Sequence, residues 1–320
     1  MMYAYQEIAG KLLRLGPEAG LAGAAWIDLY RPLPAQIAAV AELGIEVPTL
    51  EDMEEIEISN RLYREEAVDY MTVVLPGLTE HKAHISGPVT FILAPDRLLT
   101  VRHHVPRPFE TYPERADKVG AGCTSPDHLF LGLMEEIIGR LADLLEGSGR
   151  GLDEVSHSIF QPQPRGHTAA MLQQALERVG REGDLLGRVR LGLLTVERAI
   201  SFFGQTLTDR HKANGLNAVV KGLMRDITAL EVHADFLASR VALATDATLG
   251  MINLAQNATV RIVSVVAVLF LPPTLIASIY GMNFRLMPEL EQSWGYPMAL
   301  GLMVASGALT YIFFKWRNWL

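Results

Sequence analysis

The chain has 320 residues and a net charge of −8, a length that allows about two domains. The acidic balance and the lack of a basic tract argue against nucleic-acid binding. A single cysteine, Cys123, excludes a disulfide within one chain and a metal site made of several cysteines.

Residues 1–120 read as a mixture of helices and strands. The segment AAWIDLY (24–30) predicts a strand that ends before Pro32, because a proline disfavours helical geometry in the residue before it. Three later segments are rich in β-branched residues and are separated by Pro, Gly and Asp. They predict strands at 68–75, 88–94 and 97–105.

Helical signals follow these strands and also lie between them. PAQIAAVAELG predicts a short helix that stops at Gly44, and Thr49 is a candidate cap for the next helix, with Asp52 three residues later. Farther along, residues 126–146 and 168–204 are predicted helices. We expect GSGRG (147–151) and QPQPRG (161–166) to be breaks.

The C-terminal third predicts one very long helix. Between Gly215 and Gly281 no helix-stopping cluster occurs apart from Pro272-Pro273. As one helix this stretch would span about 100 Å, too long to be buried in its own small domain. It predicts a stalk that runs from a cytosolic domain into a membrane.

Two uncharged, mostly apolar runs, 262–279 and 296–314, predict transmembrane helices, since each could cross a hydrocarbon core of about 30 Å. A buried hairpin is the alternative. Trp and Tyr flank the second run, and Lys315 and Arg317 follow it, which predicts cytoplasmic termini and an external segment at 280–295. The N-terminus has no apolar signal region, so we expect about the first 245 residues to stay in the cytoplasm.

These patterns predict an α+β fold class: an N-terminal cytosolic α/β domain with a helical layer, a very long stalk or pore helix, and two C-terminal transmembrane helices. The predicted divisions are a cytosolic α/β domain (1–120), a cytosolic helical region (121–215), the stalk (216–261), transmembrane helix 1 (262–280), an external loop (281–295), transmembrane helix 2 (296–314) and a cytosolic basic tail (315–320).

One face of the predicted long helix is made of small or polar residues at alternating spacings of three and four. This face is called the seam, and its members are Asp246, Gly250, Asn253, Asn257, Val260, Ser264, Ala267, Leu271, Thr274, Ser278 and Gly281. A small-residue seam suits close helix packing in lipid, or it surrounds a water-filled path. Asp246, Asn253 and Asn257 favour the path, because an unpaired carboxylate in a packed seam is costly. A path requires an oligomer.

The segment between the two apolar runs carries a family motif. Tyr280–Phe284 reads YGMNF, Met287–Leu290 reads MPEL, and Trp294–Pro297 reads WGYP. Together they resemble the CorA magnesium transporters, most clearly over residues 246–320. In the first 245 residues the resemblance is weaker and rests on WIDL (26–29), an acidic stretch and the order of elements.

The resemblance implies a homopentameric funnel in the cell (inner) membrane, in which five copies of the long helix line a pore. It implies a selectivity filter at Gly281, Met282 and Asn283. Mg²⁺ gives up its water reluctantly, so neutral Asn283 carbonyls suit a filter that holds the hydrated ion. A ring of carboxylates would release the ion less easily. We expect Met282 to pack as a brace and Gly281 to allow close approach and an unusual turn.

Within the pore, the resemblance gives roles to individual seam residues. Thr274 matches a hydroxyl ring, Asn257 a lower amide ring, and Val260 and Leu271 hydrophobic constrictions, with Val263 as a neighbouring candidate. The implied pore-lining set is Asn257, Val260, Ser264, Ala267, Leu271, Thr274 and Ser278.

Asp246 matches a cytosolic regulatory metal position between subunits, where bound Mg²⁺ would stabilise a closed state. Mg²⁺ is thus both the expected cargo and the expected regulatory ligand, with no organic cofactor. The acidic partner of Asp246 is not identified by the sequence. Glu51, Asp52, Glu54, Glu55 and Glu57 are suggestive, but a solvated acidic helix face is the preferred explanation for them.

Arg285 departs from the family pattern, in which an acidic residue more commonly follows GMNF. Two other functions stay open: a zinc transporter like ZntB, with or without proton coupling, and a membrane-anchored sensor that conducts nothing. The MPEL segment favours magnesium, and we expect Co²⁺ and Ni²⁺ to pass as well. No enzyme motif is visible. The histidines at 81, 84, 103 and 104 do not predict a metal site, because histidines on edge strands are usually solvated.

Overall fold

The computed structural model describes residues 1–16, 19–55, 57, 61–79, 84–161, 168–209, 215–282, 287–288, 292–317 and 319. The chain divides into two compact units. The first contains 1–157 and 177–244, and the second contains 158–176 and 245–320.

A seven-stranded sheet forms the centre of the first unit. Its strands are β1 (Met2–Ile8), β2 (Lys11–Arg14), β3 (Trp26–Tyr30), β4 (Leu62–Glu65), β5 (Val68–Leu78), β6 (His84–Leu93) and β7 (Leu98–Arg102). They lie in the order β2-β1-β3-β7-β6-β5-β4, and only β3 and β7 are parallel neighbours. The strand predicted at 24–30 is therefore confirmed as β3, and all five of its residues are buried.

The helices are α1 (Pro34–Ala41), α2 (Leu50–Glu54), α3 (Pro108–Arg115), α4 (Pro126–Phe160), α5 (Ala169–Asp209), α6 (Leu216–Tyr280) and α7 (Gly295–Trp316). The predicted long helix is confirmed as α6, which is called the long helix below. The predicted stop at Gly44 is also confirmed, since α1 ends three residues earlier and Gly44 takes a φ of +76°.

Both faces of the sheet are covered. Trp26 and Phe91 on one face pack in a cluster with Phe130 of α4 and Phe203 of α5, where Phe130 and Phe203 have ring centroids 4.8 Å apart. A smaller cluster on the other face joins residues such as Ile27 to Val40 of α1. The mixed α and β architecture predicted from the sequence is confirmed.

Three strands were missed in the sequence analysis. β1 and β2 form a hairpin whose two-residue turn, Ala9-Gly10, has φ angles of 53° and 79°. Such positive angles are typical of tight hairpin turns, and a Gly between two short alternating segments was the available signal. The short β4 pairs only with β5 at the sheet edge.

The break predicted at GSGRG (147–151) is wrong, because α4 continues through it to Phe160. Two of its three glycines lie where another helix approaches. A Cβ at Gly151 would lie 2.5 Å from a carboxylate oxygen of Glu182 on α5, and one at Gly149 would lie 3.7 Å from Leu237 on the long helix. Ser148 and Leu152 are buried, so this segment packs inside the first unit as part of a continuous helix.

The second unit contains the apolar part of the long helix and α7. Both helices are long and apolar enough to cross a membrane. In both helices, most apolar side chains are exposed in the single chain, as expected for surfaces that face lipid or another copy. The two C-terminal apolar helices predicted from the sequence are confirmed.

Candidate ion pathway

The seam of the long helix is uncovered along its whole length. Every seam residue from Asp246 to Gly281 is exposed in the single chain, including the bulkiest, Val260 and Leu271, at 63% and 66%. The seam is therefore free to face a pore or other copies of the chain.

Other faces of the long helix are covered within the second unit. Val265 is buried. Pro272 and Pro273 are half-buried, and a Cβ at Gly307 of α7 would lie 3.9 Å from the ring of Pro273. The side of the helix that packs on α7 is thus separate from the seam.

Thr274 lies on the seam with its hydroxyl bound to its own helix. Its Oγ1 donates to the carbonyl of Phe270 at 2.7 Å. Because the hydroxyl proton is used there, the lone pairs of the oxygen remain available to accept a hydrogen bond. A ring of such oxygens can accept hydrogen bonds from the water around a cation.

Pro272 and Pro273 lie inside the long helix. Neither has an N–H group, so the carbonyls of Val268 and Leu269 lose their usual donors four residues later. Transmembrane helices tolerate such breaks where neighbouring groups or local adjustments satisfy the freed carbonyls. The contact with Gly307 supports this segment on one side.

The long helix ends at the family motif. The N–H of Gly281 donates to the carbonyl of Ala277 at 2.9 Å, and a Cβ at Gly281 would lie 3.1 Å from that oxygen. Close approach therefore explains the glycine. Among the described glycines, positive φ occurs at Gly10, Gly44, Gly122 and Gly215 and not at Gly281. The expected turn stays a prediction, because the chain after Met282 lies outside the described residues as far as residue 286.

Two further predictions concern the loop after the long helix. Met282 was expected to pack as a brace, but in the single chain its side chain is 50% exposed. Asn283, the proposed filter residue, and Arg285 lie outside the described residues.

Asp246 is exposed on the seam, and within the described chain it forms no ion pair. The described residues also contain no cluster of three or more His, Cys, Asp or Glu side chains that could hold a metal ion. A metal site that includes Asp246 would therefore need ligands from another copy of the chain or from residues outside the described ranges.

The acidic stretch near residue 51 forms the exposed surface of α2. Glu51 and Glu54 are exposed, whereas Asp52 has a structural role. Its carboxylate accepts from the N–H of Thr49 at 2.9 Å, and Thr49 Oγ1 accepts from the N–H of Asp52 at 3.3 Å. The hydrogen bonds from Thr49 lower the pKa of the Asp52 carboxyl. The predicted cap is confirmed.

The expectation that the histidines are solvated is wrong for His104. The strand predicted at 97–105 ends at Arg102 as β7, which lies inside the sheet, so His104 follows a central strand and not an edge strand. The His104 ring packs against Gly77 and Gly87, where added Cβ atoms would lie 2.7 and 2.9 Å from it, and its Nε2 lies 2.8 Å from the Leu75 carbonyl. Burial lowers its pKa to about 4. His81 lies outside the described residues.

A buried ion pair in the WIDL segment was not anticipated. Asp28, which is 1% exposed, receives two arms of the Arg102 guanidinium, with Nη2 donating to Oδ2 at 2.9 Å. Thr100 Oγ1 donates to Asp28 at 2.9 Å and accepts from Trp26 Nε1 at 3.1 Å. The signal in the sequence was an aspartate inside an apolar strand, which needs a partner when buried.

Comparison with known proteins gives the family of the chain. The model of the CorA-like Mg²⁺ transporter protein family matches residues 22–316. The magnesium transport protein CorA of Salmonella typhimurium is 34% identical, and the alignment covers 100% of each chain.

Two solved structures share the fold. The complete CorA magnesium transporter of Methanocaldococcus jannaschii has a TM-score of 0.75 at 18% identity, covering 100% of this chain and 99% of that one. The ZntB cytoplasmic domain of Vibrio parahaemolyticus has a TM-score of 0.56 at 13% identity, covering 78% and 96%. Because the family model and the Salmonella relative match nearly the whole sequence, this chain belongs to the CorA-like Mg²⁺ transporter family.

Proposed function

We propose that the chain assembles as a homopentamer that admits hydrated Mg²⁺ through a central pore lined by five copies of the seam. Co²⁺ and Ni²⁺ enter by the same path, because contacts to the outer hydration shell discriminate weakly among divalent ions of similar hydration. The single observation that carries the proposal is the seam itself. It is small or polar, it is exposed from Asp246 to Ser278, and it ends at the YGMNF motif.

Selection takes place at the outer mouth. Five Asn283 side-chain carbonyls accept hydrogen bonds from the water around Mg²⁺, which is shed reluctantly. Thr274 and Asn257 supply further neutral acceptors along the path. Val260 and Leu271 close it when the pore narrows and water leaves the apolar segment. Mg²⁺ is the cargo in this scheme, and the chemistry needs no organic cofactor.

The chain has its two transmembrane helices in the cell (inner) membrane and both termini in the cytoplasm. This orientation is supported by Lys315 and Arg317 at one end of α7 and by Trp294 and Tyr296 at the other. The division into a cytosolic part (1–261), two transmembrane helices (262–280 and 296–314), an external loop (281–295) and a cytosolic tail (315–320) belongs to the same proposal.

Metal flux into liposomes that contain the purified protein tests the function. Uptake should be measured for Mg²⁺, Co²⁺, Ni²⁺ and Zn²⁺ under the same gradient, with protein-free liposomes as the control. Mg²⁺ uptake supports the proposal. Selective Zn²⁺ uptake would instead favour a transporter like ZntB, whose cytoplasmic domain shares the fold. No uptake of any ion would favour the non-conducting sensor.

Regulation is proposed to act through Asp246. Cytosolic Mg²⁺ bound between Asp246 and acidic groups of a neighbouring copy stabilises a closed, symmetric state and dissociates when internal Mg²⁺ falls. The expected result for Asp246→Ala is weaker protection from limited proteolysis by millimolar-scale Mg²⁺, because a ligand is lost. Asp226→Ala, which removes another exposed carboxylate of the same helix, is the control and should keep parental protection. Equal protection in all three proteins would exclude Asp246 from the sensor.

The charge of the external loop predicts a further effect. Arg285, Glu289 and Glu291 give each loop a charge of −1, which Arg285→Glu changes to −3. The apparent Mg²⁺ affinity should therefore rise at low ionic strength. It should converge with the parent in high salt, since screening acts over about 3 Å at 1 M.

Arg285→Gln, which removes only the positive charge, serves as the graded control and should give about half the change. Flux titrations at two salt concentrations measure the effect. Selectivity should not change, because Asn283 still holds the hydrated ion. If both variants have the parental apparent Mg²⁺ affinity at low salt, Arg285 lies away from the path of the ion.

A further inference from the structure

The second unit contains an open apolar groove just below the predicted membrane boundary. Its volume is about 810 Å³. The first two turns of α5 form one wall, with Leu172 and Leu176. Residues of the long helix, including Ile252, Gln256 and Val260, form the other.

The walls of this groove are mostly apolar. Leu172 is buried at the base of one wall, while Leu176 and Ile252 are half-buried and leave apolar surface open to the groove.

The opposite flank of the long helix carries a large unpartnered side chain. Successive residues of a helix are turned by about 100°, so Ile252 and Leu254 lie on opposite sides of the seam residue Asn253. Leu254 is 65% exposed in the single chain. One flank of the helix thus presents an apolar projection, and the other borders an apolar groove at the same height.

The Leu254 side chain and the groove lie at the same level along the long helix, so they can meet between neighbouring copies in a closed ring. When parallel helices surround an axis with the seam inward, one flank of each helix meets the other flank of the next, which is a heterologous contact. We propose that Leu254 of each copy inserts into the groove between α5 and the long helix of the adjacent copy. The inference rests on the proposed homopentamer and names the contact that sets its spacing.

The contact has a consequence for the proposed pore. Leu254 lies between the seam residues Asn253 and Asn257, so its seating sets how closely the Asn257 side chains of neighbouring copies approach. It also places the first turns of α5 against the pore helix of the neighbour. Leu254 is therefore a positioning residue and has no contact with the ion.

Photo-crosslinking of the full-length protein in liposomes tests the contact. A benzophenone amino acid replaces Leu254, which is exposed and can be changed without disturbing the packing of a single chain. Irradiation should give covalent dimers and higher oligomers, and mass spectrometry should map the joined peptide to residues 169–176 or 252–260. The matched control places the same amino acid at Val304 of α7, which is 73% exposed in the apolar stretch, and should give lipid adducts without dimers.

Each other outcome has a distinct meaning. Lipid adducts at position 254, with no protein dimers, would show that lipid occupies the groove and would overturn the contact. Crosslinks to any other peptide of a neighbour would overturn it as well. Native mass spectrometry of the same sample separates this failure from that of the proposed function, because a pentamer without the mapped crosslink refutes only the contact.

Discussion

Uptake of Mg²⁺ into liposomes is expected to fall at least about tenfold when Asn283 is replaced by alanine. A hydrogen bond to a charged partner contributes about 1.5–3 kcal/mol, and about 1.4 kcal/mol corresponds to a factor of ten. In the proposed pentamer, the substitution removes one side-chain carbonyl from every copy, so the loss of a single effective contact is enough to account for the change. Initial rates of Mg²⁺ uptake measure it.

The control for this experiment is Met282→Leu, which changes the neighbouring side chain and leaves the amide ring intact. It should keep most of the parental uptake. Native mass measurement must show that both variants assemble as the parent does. An Asn283→Ala protein that assembles and still transports Mg²⁺ at the parental rate would refute the filter assignment.

Replacing Arg102 by methionine is expected to destabilise the first unit by about 3–5 kcal/mol, because it leaves the buried Asp28 carboxylate without its cation. For a unit of this size, that corresponds to a decrease in the melting temperature on the order of 10 °C. Thermal unfolding of the full-length protein in detergent measures the change.

Two further variants show whether burial causes the effect. Arg115 pairs with Glu136 at 3.1 Å, but its side chain is 61% exposed, so Arg115→Met should cost less than about 1 kcal/mol. The double variant Asp28→Leu/Arg102→Met removes both charges and should recover part of the stability. Equal losses for Arg102→Met and Arg115→Met would contradict the role of the buried pair.

Periodicity and composition predicted the elements whose signal extends over many residues. The absence of stop signals between Gly215 and Gly281 predicted the long helix, and the spacing of Asp246, Asn257 and Thr274 placed these residues on one face. That face is uncovered in the structure. The capping pair Thr49 and Asp52 was predicted because both groups of the cap are local in sequence.

Predictions failed where the decisive contact is distant in sequence. Gly151 looked like a break, yet its missing side chain leaves room for Glu182 of a neighbouring helix. His104 looked like a solvated edge residue, yet it follows a central strand and its ring is buried against Gly77 and Gly87. In each case the residue type was unusual for its position, but its role depended on a neighbour that is distant in sequence.

The sequence by itself determined the long helix, the two apolar helices, the polar seam and the family motif, because each depends on residue type and on spacing along one element. Only the tertiary structure decided that Asp28 and Arg102, 74 positions apart, form a buried pair, and that Leu172 and Ile252 border one groove. Such contacts depend on which strands and helices become neighbours. Helix and strand periodicity describes the faces of an element, whereas the partner of each face is set by how the whole chain packs.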